Sequence, residues 1–224
     1  MHVWNADLDL SDQAVKRHLK KLSAQEKDRA ERFHFQRDRS RFVVRRGVLR
    51  SLLAEYTQLK AADLVFETNT FGKPALASEF SPSVRFYVSH SGNLAVFGFA
   101  LDRALGIDIE KIRYDLDCWD LAQRYFAKEE IAALAQLSGD ARNQAFFNVW
   151  TRKEAYIKAI GMGVSFPLDR FAVTAGSDRA ALLWSDNQPY KQWCFNQIDI
   201  GDGAVSVVAV DGEISAVKTF SFFG

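Results

Sequence analysis

Two stretches decide the interpretation of this chain: Gly106-Ile107-Asp108-Ile109-Glu110 and Trp150-Thr151-Arg152-Lys153-Glu154-Ala155-Tyr156-Ile157-Lys158. Side chains alternate between the two faces of a strand, so the first stretch presents its two acids on one face and its two isoleucines on the other. The second stretch has helical spacing. A strand with an acidic face and a helix with a mixed face are therefore predicted.

On that helix, apolar and charged side chains share one broad face, with Trp150, Lys153, Glu154, Ile157 and Lys158 at spacings of three and four. Charges beside buried side chains need partners. Magnesium takes oxygen ligands and leaves positions for water and phosphate. Three carboxylates and two lysines together predict a metal and phosphate site. Taken singly, an acidic edge strand and a solvated ion pair explain the two stretches equally well.

Composition sets limits on the class of protein. The chain has 224 residues, 48% of them hydrophobic, and a formal net charge of +1, so no global charge draws it to nucleic acid or anionic membrane. Cys118 and Cys194 are too few for a disulfide framework or a zinc site built on paired thiolates. The start does not resemble a secretory signal, and no segment approaches the roughly 18 apolar residues of a membrane span. We expect a cytoplasmic protein.

The order of predicted elements repeats coarsely. The pattern predicts an α+β protein of two similar lobes, each with helices packed on a small antiparallel sheet, over 1–104 and 105–224. Gly92-Asn93 is predicted as a hairpin turn. Helices are expected over 11–33, 40–58, 118–126, 128–138 and 141–160, and strands near 64–68, 84–88, 94–100, 105–110, 170–175, 180–184, 192–199 and 203–210.

Ser89-His90-Ser91 follows a predicted strand and offers hydroxyl and imidazole donors to an anion. A histidine at a strand end is also commonly structural, and no neighbouring acid or cysteine completes a nucleophile pair. The motif indicates an anion contact without requiring one.

Phe71-Gly72-Lys73-Pro74-Ala75-Leu76 is predicted as a turn, because Gly72 permits unusual backbone angles and Pro74 fixes the exit. Exposed backbone groups of such a turn are able to read the edge of a nucleobase. An ordinary tight loop is the simpler interpretation.

Basic residues cluster early in the chain. Planar guanidinium groups suit bidentate phosphate binding, and arginine-rich helices also neutralise nucleic-acid backbones. The arginines of this cluster are Arg29, Arg32, Arg37, Arg39, Arg41, Arg45, Arg46 and Arg50.

The order of these motifs, Gly-Lys-Pro, Ser-His-Ser, Gly-Ile-Asp-Ile-Glu and Trp-x-x-Lys-Glu-Ala-x-x-Lys, resembles that of the Sfp-type 4′-phosphopantetheinyl transferases over nearly the whole chain. The resemblance implies the two-lobed fold with pseudo-two-fold symmetry. It also implies transfer of the phosphopantetheine arm of coenzyme A to a serine of an apo carrier protein, with release of adenosine 3′,5′-bisphosphate.

The resemblance also assigns roles by position. It implies Mg²⁺, with Mn²⁺ as an alternative, held by Asp108, Glu110 and Glu154. Catalytic roles fall to Glu154, as the base directly or through water, and to Lys158. The implied coenzyme A contacts are Arg29, Arg41, Lys73, Ser89, His90, Lys153 and Lys158.

Partners follow from the same resemblance: an apo acyl or peptidyl carrier protein of polyketide, nonribosomal peptide or fatty acid synthesis, and coenzyme A. A monomer is expected, because two lobes in one chain can form the cleft. Two alternatives stay open: a nucleic-acid-binding protein built on the arginine-rich helix, and an inactive coenzyme A binding homologue. The near-neutral charge and the predicted acidic site argue against the first.

Overall fold

Helices and short strands alternate along the computed structural model, which describes residues 1–77, 83–176, 179–187, 192–201, 203–214 and 216–223. In chain order these are β1 (His2–Asp7), α1 (Asp12–Leu19), α2 (Ala24–Glu31), α3 (Gln36–Thr57), β2 (Phe66–Thr68), β3 (Pro74–Leu76), β4 (Val84–Ser91), β5 (Leu94–Leu101), β6 (Leu105–Lys111), α4 (Cys118–Tyr125), α5 (Lys128–Ala135), α6 (Gly139–Ile160), β7 (Phe171–Val173), β8 (Leu182–Ser185), β9 (Trp193–Ile198), β10 (Ala204–Asp211) and β11 (Lys218–Ser221). Short 3₁₀ turns cover Gly163–Ser165 and Leu168–Arg170.

Most predicted elements are present, with one helix divided. The expected helix over 11–33 is two helices, because Ser23 caps α2 and exchanges hydrogen bonds with Glu26 in a capping box. The two-residue turn at Gly92-Asn93 is confirmed between β4 and β5. The sequence analysis missed β1, β3 and β11, and β3 begins at Pro74 inside the segment predicted as a turn.

Two larger sheets organise the molecule. Their strand orders are β11-β1-β5-β4 and β6-β10-β9, while β2 pairs with β3 and β7 with β8. Only the β1–β11 pair is parallel among these pairings of the described residues. The predicted α+β architecture is confirmed.

Each larger sheet packs one face against a long helix of 22 residues. Val48 and Leu52 of α3 pack with Phe97 of β5, and Tyr156 of α6 packs in a second core with Val207 of β10. The opposite faces share a third apolar cluster of Val3, Val96, Ile107, Ile109, Ile198 and Val208. The two halves therefore repeat one plan and bury their remaining sheet faces between them.

The last strand crosses from one half to the other. Lys218–Ser221 pairs in register with His2–Asn5 of β1, so the predicted range 105–224 includes a strand that completes the sheet of the first half. The boundary at residue 104 stays a prediction. Pairing depends on partners distant in sequence, which local periodicity does not reveal.

No helix in the part of the chain that the structure describes combines the length and apolar character required to cross a bilayer. Both cysteines are free thiols, with Cys118 buried and Cys194 half-buried.

His18 is a buried polar side chain whose hydrogen-bonding groups are not all satisfied. It is 3% exposed, and in the described part of the chain its Nδ1 atom has no hydrogen-bond partner. Gly47 of α3 makes room for it, since a Cβ atom there would lie 2.6 Å from the His18 Cβ. Burial lowers the pKa of His18 to about 4, and the nearby Lys21 and Arg17 act in the same direction. The neutral ring is therefore the form compatible with the fold.

The contribution of His18 to the stability of the protein should consequently fall as pH falls through the window between its unfolded and folded pKa values, from 6.5 to about 4. The contribution is complete above pH 6.5, and its loss should approach about 3 kcal/mol near pH 4. Urea unfolding from pH 4 to 7 measures this slope. His18→Gln should remove the share of the slope that His18 contributes, whereas the exposed His34→Gln should leave the slope unchanged. Equal slopes in both variants would contradict the assignment.

Candidate active site

Serine–carboxylate pairs join the edges of the two larger sheets. Ser89 of β4 donates to Asp108 Oδ1 on β6 at 2.7 Å, and Ser91 donates to Glu110 Oε2 at 3.0 Å. The pairs recur every second residue on both strands, because alternate side chains share a face. The backbone amide of Lys111 adds a hydrogen bond to Ser91 Oγ at 3.1 Å. The site therefore lies where the two halves meet.

Gly106 lets the backbone of α6 lie directly on β6. A Cβ atom at this position would be 2.2 Å from the carbonyl oxygen of Ala155 and 2.3 Å from the amide nitrogen of Ala159. Real Cβ atoms do not approach backbone atoms so closely. Position 106 therefore requires glycine because there is no room for a Cβ atom, and not because of its backbone dihedral angles. The close contact brings the side chains of α6 within reach of the acids on β6.

Lys158 is the member of α6 that contacts the strand acids. Its Nζ donates to Ser89 Oγ at 3.1 Å and forms an ion pair with Asp108 Oδ1, and Glu154 Oε2 lies 4.0 Å away. Asp108 is 2% exposed. The structure thus brings together Ser89, Asp108, Glu154 and Lys158 as predicted, with Glu110 beside them on β6.

The three carboxylates, here called the acidic cluster (Asp108, Glu110 and Glu154), resist ionisation. Burial raises the pKa of Asp108 although Lys158 opposes the shift. Burial and repulsion from Asp108 raise the pKa of Glu110 to about 7. The pKa of Glu154 is raised by the same two causes. Such a cluster favours an added cation.

One atom of the acidic cluster fits a metal ion: Asp108 Oδ2 is buried and has no hydrogen-bond partner among the residues that the structure describes. Hard oxygen donors suit Mg²⁺. As they are placed, no three His, Cys, Asp or Glu side chains among the described residues could by themselves hold a metal ion. A cation at this position would therefore complete its coordination with water or substrate oxygens.

A cavity of about 730 Å³, here called the arginine cavity, opens beside β4. Its wall includes Val88 and His90 of β4, Gly72 of the loop before β3, and Pro74 at the start of β3. Apolar side chains such as Phe42 and Phe66 also line it. The basic side chains that line it are Arg29, Arg45, Arg46 and Arg50. An apolar pocket with several guanidinium groups suits a ligand with a flat ring and phosphates.

The arginines divide into paired and unpaired groups. Arg46 and Arg50 both form ion pairs with Glu26. Arg29 and Arg45 have no ion pair with any described residue, although Arg29 lies over the ring of Phe42. Burial, with repulsion from Arg46 and Arg29, lowers the pKa of Arg45 to about 10. Arg29 and Arg45 therefore offer uncompensated charge to the cavity.

Arg41, which the sequence prediction places among the coenzyme A contacts, is bound to Asp9. Its Nε and Nη2 donate to the two carboxylate oxygens at 2.6 Å each. The sequence analysis puts Arg45 in the basic cluster but does not single it out. The sequence did contain a sign of its position. Arg45 is three residues after the buried Phe42 and four before the buried Leu49, and this helical spacing places it at the edge of the core.

His90 lies on the cavity wall with part of its side chain accessible to solvent. Partial burial, together with the nearby cations Arg45, Lys158 and Arg41, lowers the pKa of His90 to about 4. The ring is therefore neutral near pH 7 in the unliganded protein, and it is able to donate a hydrogen bond without contributing a charge.

Lys153 does not join this site, which corrects the prediction that it shares a ligand-binding face with Lys158. Its side chain is fully buried, 2.8 Å from Glu130 Oε2, and it donates to the carbonyl oxygens of Leu168 at 2.7 Å and Phe171 at 2.6 Å. A lysine has three donors, and all three are used. Lys153 therefore links α6 to α5 and to the start of β7.

Lys73 also points away from the arginine cavity. Its Nζ donates to the carbonyl oxygens of Leu105 and Ala159, at 3.0 Å each. Burial lowers the pKa of Lys73 to about 8, with Arg85 adding to the shift. The neighbouring Gly72 and Pro74 do line the cavity, so the loop borders it while the Lys73 side chain contacts α6.

An acidic cluster beside a basic cavity is typical of enzymes that act on phosphate groups. A family model described as 4′-phosphopantetheinyl transferase superfamily matches residues 104–209, and one described as 4′-phosphopantetheinyl transferase, N-terminal, matches residues 7–100. Two relatives agree with these matches, so the chain belongs to the 4′-phosphopantetheinyl transferase superfamily, and the resemblance predicted from the sequence is confirmed.

The first of these relatives is the 4′-phosphopantetheinyl transferase HetI of a Nostoc species, 34% identical over 213 residues that cover 95% of this chain and 88% of the relative. The second is the 4′-phosphopantetheinyl transferase Sfp of Bacillus subtilis, 31% identical over 172 residues that cover 77% and 75%. Among solved structures, holo-(acyl-carrier-protein) synthase of Thermotoga maritima matches 50% of this chain and 64% of that chain, with a TM-score of 0.40 and 16% identity.

Replacing Lys153 by methionine should destabilise the protein rather than weaken ligand binding. The change leaves the Glu130 carboxylate buried without its cation, which costs about 3–5 kcal/mol. Urea unfolding of Lys153→Met, Glu130→Gln and the double variant measures the coupling between the two side chains. We expect the double variant to lose less free energy of unfolding than the two single variants lose together. If the two losses simply add, Lys153 and Glu130 are not energetically coupled.

Proposed function

We propose that this protein transfers the 4′-phosphopantetheine group of coenzyme A to a serine hydroxyl of an apo acyl or peptidyl carrier protein, releasing adenosine 3′,5′-bisphosphate. The observation that carries the proposal is the juxtaposition of the acidic cluster and Lys158 with the arginine cavity, in a chain of this superfamily. His90 on the cavity wall follows directly after Ser89 of the acidic site.

The two parts of the site suit two parts of coenzyme A. The arginine cavity offers apolar walls for the adenine and the free guanidinium groups of Arg29 and Arg45 for its phosphates. The backbone of the loop at Gly72 borders the same space. The pyrophosphate would then extend along β4, past Ser89 and His90, to Lys158 and the acidic cluster. The cavity therefore binds and orients the nucleotide.

Residues of α6 would perform the proton and charge steps. The carrier serine oxygen attacks the phosphorus that bears the pantetheine arm, and the bond from that phosphorus to the bridging oxygen breaks. Glu154, directly or through a water, takes the serine proton. Lys158 stabilises charge on the phosphate oxygens, including those of the departing adenosine 3′,5′-bisphosphate.

The proposed cofactor is Mg²⁺, with Mn²⁺ as an alternative, and Asp108, Glu110 and Glu154 are the residues that would hold it. When bound, the ion would neutralise the combined negative charge of the acidic cluster and the pyrophosphate. The buried, unpartnered Asp108 Oδ2 supports this assignment.

Ion pairs within the basic cluster support this function over nucleic-acid binding. Arg39, Arg41 and Arg46 are engaged by Glu31, Asp9 and Glu26, so much of the cluster is compensated within the protein. We also propose that the protein is cytoplasmic and is a monomer in which both halves of the chain form the cleft.

The reaction is tested by mixing the protein with coenzyme A, Mg²⁺ and a panel of apo carrier proteins, and measuring carrier mass. We expect the mass of the phosphopantetheine arm to be added. Asp108→Asn should lower kcat by ~100-fold or more, because the carboxylate that pairs with Lys158 and would hold the proposed Mg²⁺ is lost. Asp115→Asn, with a side chain 74% exposed, is the matched control. Absence of modification on every carrier would overturn the proposal.

Arg45→Gln should raise the KM for coenzyme A by ~10- to 100-fold, since a charge-assisted hydrogen bond to phosphate contributes about 1.5–3 kcal/mol. We expect kcat to change little, because Arg45 lies in the cavity rather than at the acidic cluster. Steady-state kinetics with varied coenzyme A measures both constants. Arg37→Gln, with a side chain 70% exposed, serves as the control, and an identical KM in the two variants would remove Arg45 from the binding site.

A further inference from the structure

The segment Asn69-Thr70-Phe71-Gly72-Lys73, here called the clamp loop, touches both parts of the proposed site. On one side Gly72 lines the arginine cavity, together with the adjoining Thr68 and Pro74. On the other side, Asn69 and Lys73 contact the C-terminal end of α6. One short loop therefore lies between the cavity and the helix that carries Glu154 and Lys158.

The contacts to α6 satisfy carbonyl groups that the helix leaves open. Lys73 Nζ donates to Ala159 O at 3.0 Å, and Asn69 Nδ2 donates to Gly161 O at 3.1 Å. The last carbonyls of a helix lack partners within it, and a cation there is favoured by the helix dipole. Lys73 also donates to Leu105 O of β6 at 3.0 Å. One ammonium group thus joins the helix end to the strand beneath it.

The clamp loop is itself held in shape. Asn69 Oδ1 accepts hydrogen bonds from the amides of Phe71 at 2.9 Å and Lys73 at 2.8 Å. The amide of Gly72 donates to Asn69 O at 2.9 Å, with Gly72 in the left-handed region at φ 81°. A Cβ atom at Gly161 would lie 3.3 Å from both Asn69 Nδ2 and Lys73 Cδ, so loop and helix end are closely packed. A shift of the loop would therefore displace the helix end, and a shift of the helix end would displace the loop.

Lys158 directly precedes Ala159, the residue whose carbonyl Lys73 holds, and Glu154 is one turn earlier on α6. We propose that Lys73 is a positioning residue: it fixes the last turn of α6 against β6, and so sets where Lys158 and Glu154 meet the acidic strand. This inference rests on the proposed function. It assigns the Lys73 side chain to the support of α6, instead of the direct contact with coenzyme A that the family resemblance implies. Misplacement of reacting groups by about 1 Å lowers rates by ~100-fold.

The test combines hydrogen exchange with kinetics on Lys73→Met, which keeps the side-chain length and removes the donors. In the unliganded protein, amide exchange at the last turn of α6 should become ~10-fold faster. With coenzyme A and an apo carrier, kcat should fall by ~10- to 100-fold while the KM for coenzyme A stays within about twofold. Lys60→Met, at an exposed lysine, should match the wild type in every measurement.

Asn69→Asp is the second variant, because a carboxylate keeps the acceptor for the loop amides and loses the donor to Gly161 O. It should speed exchange at the same turn, and it decides the question if Lys73→Met does not fold. A raised KM with unchanged kcat in Lys73→Met, or unchanged exchange in Asn69→Asp, would overturn the inference. The exchange comparison needs no turnover, so a failure of the proposed function would be separately visible.

Discussion

The contact between the backbone of Gly106 and that of α6 is the constraint on which the rest of the site depends. Because no Cβ intervenes, the helix lies close enough for Lys158 to reach Asp108 and for Glu154 to stand beside it. The same strand turns its isoleucines toward the shared core, so β6 both joins the two halves and supplies the acids. A larger residue at position 106 would move the helix, and with it the entire arrangement of charges.

The charged residues of this protein fall into two groups that differ in what compensates them. Glu130 and Lys153 are buried and fully matched, which fixes the packing of α6 against its neighbours. Asp108 keeps one oxygen without a partner, and Arg45 has no ion pair with the described residues. Charges of both signs that lack an ion-pair partner among the described residues therefore lie at the site, whereas Glu130 and Lys153 neutralise each other. Away from the site, the buried Arg152 has no ion pair among the described residues and donates to the carbonyl and hydroxyl oxygens of Thr174.

The elements defined by local periodicity could be predicted from sequence: the acidic strand, the hairpin at Gly92-Asn93 and the helix bearing Glu154 and Lys158. Partners distant in sequence could not. Helical spacing puts Lys153 on the same broad face as Lys158, but only the fold shows that Lys153 forms an ion pair with Glu130 of another helix. Asp9 engages Arg41 in the same way, leaving Arg45 as the unpaired neighbour. The metal ligands and the base remain predictions, supported by the orphaned oxygen of Asp108.

The parallel pairing of β11 with β1 has a consequence for how the chain is made. During synthesis β1, β4 and β5 emerge early, yet one edge of β1 stays unpaired until Lys218–Ser221 has been added. An uncovered strand edge is a template for association with other chains. The outer edge of β1 is therefore unpaired while the chain from β2 to β10 is made, and pairing with β11 then covers it.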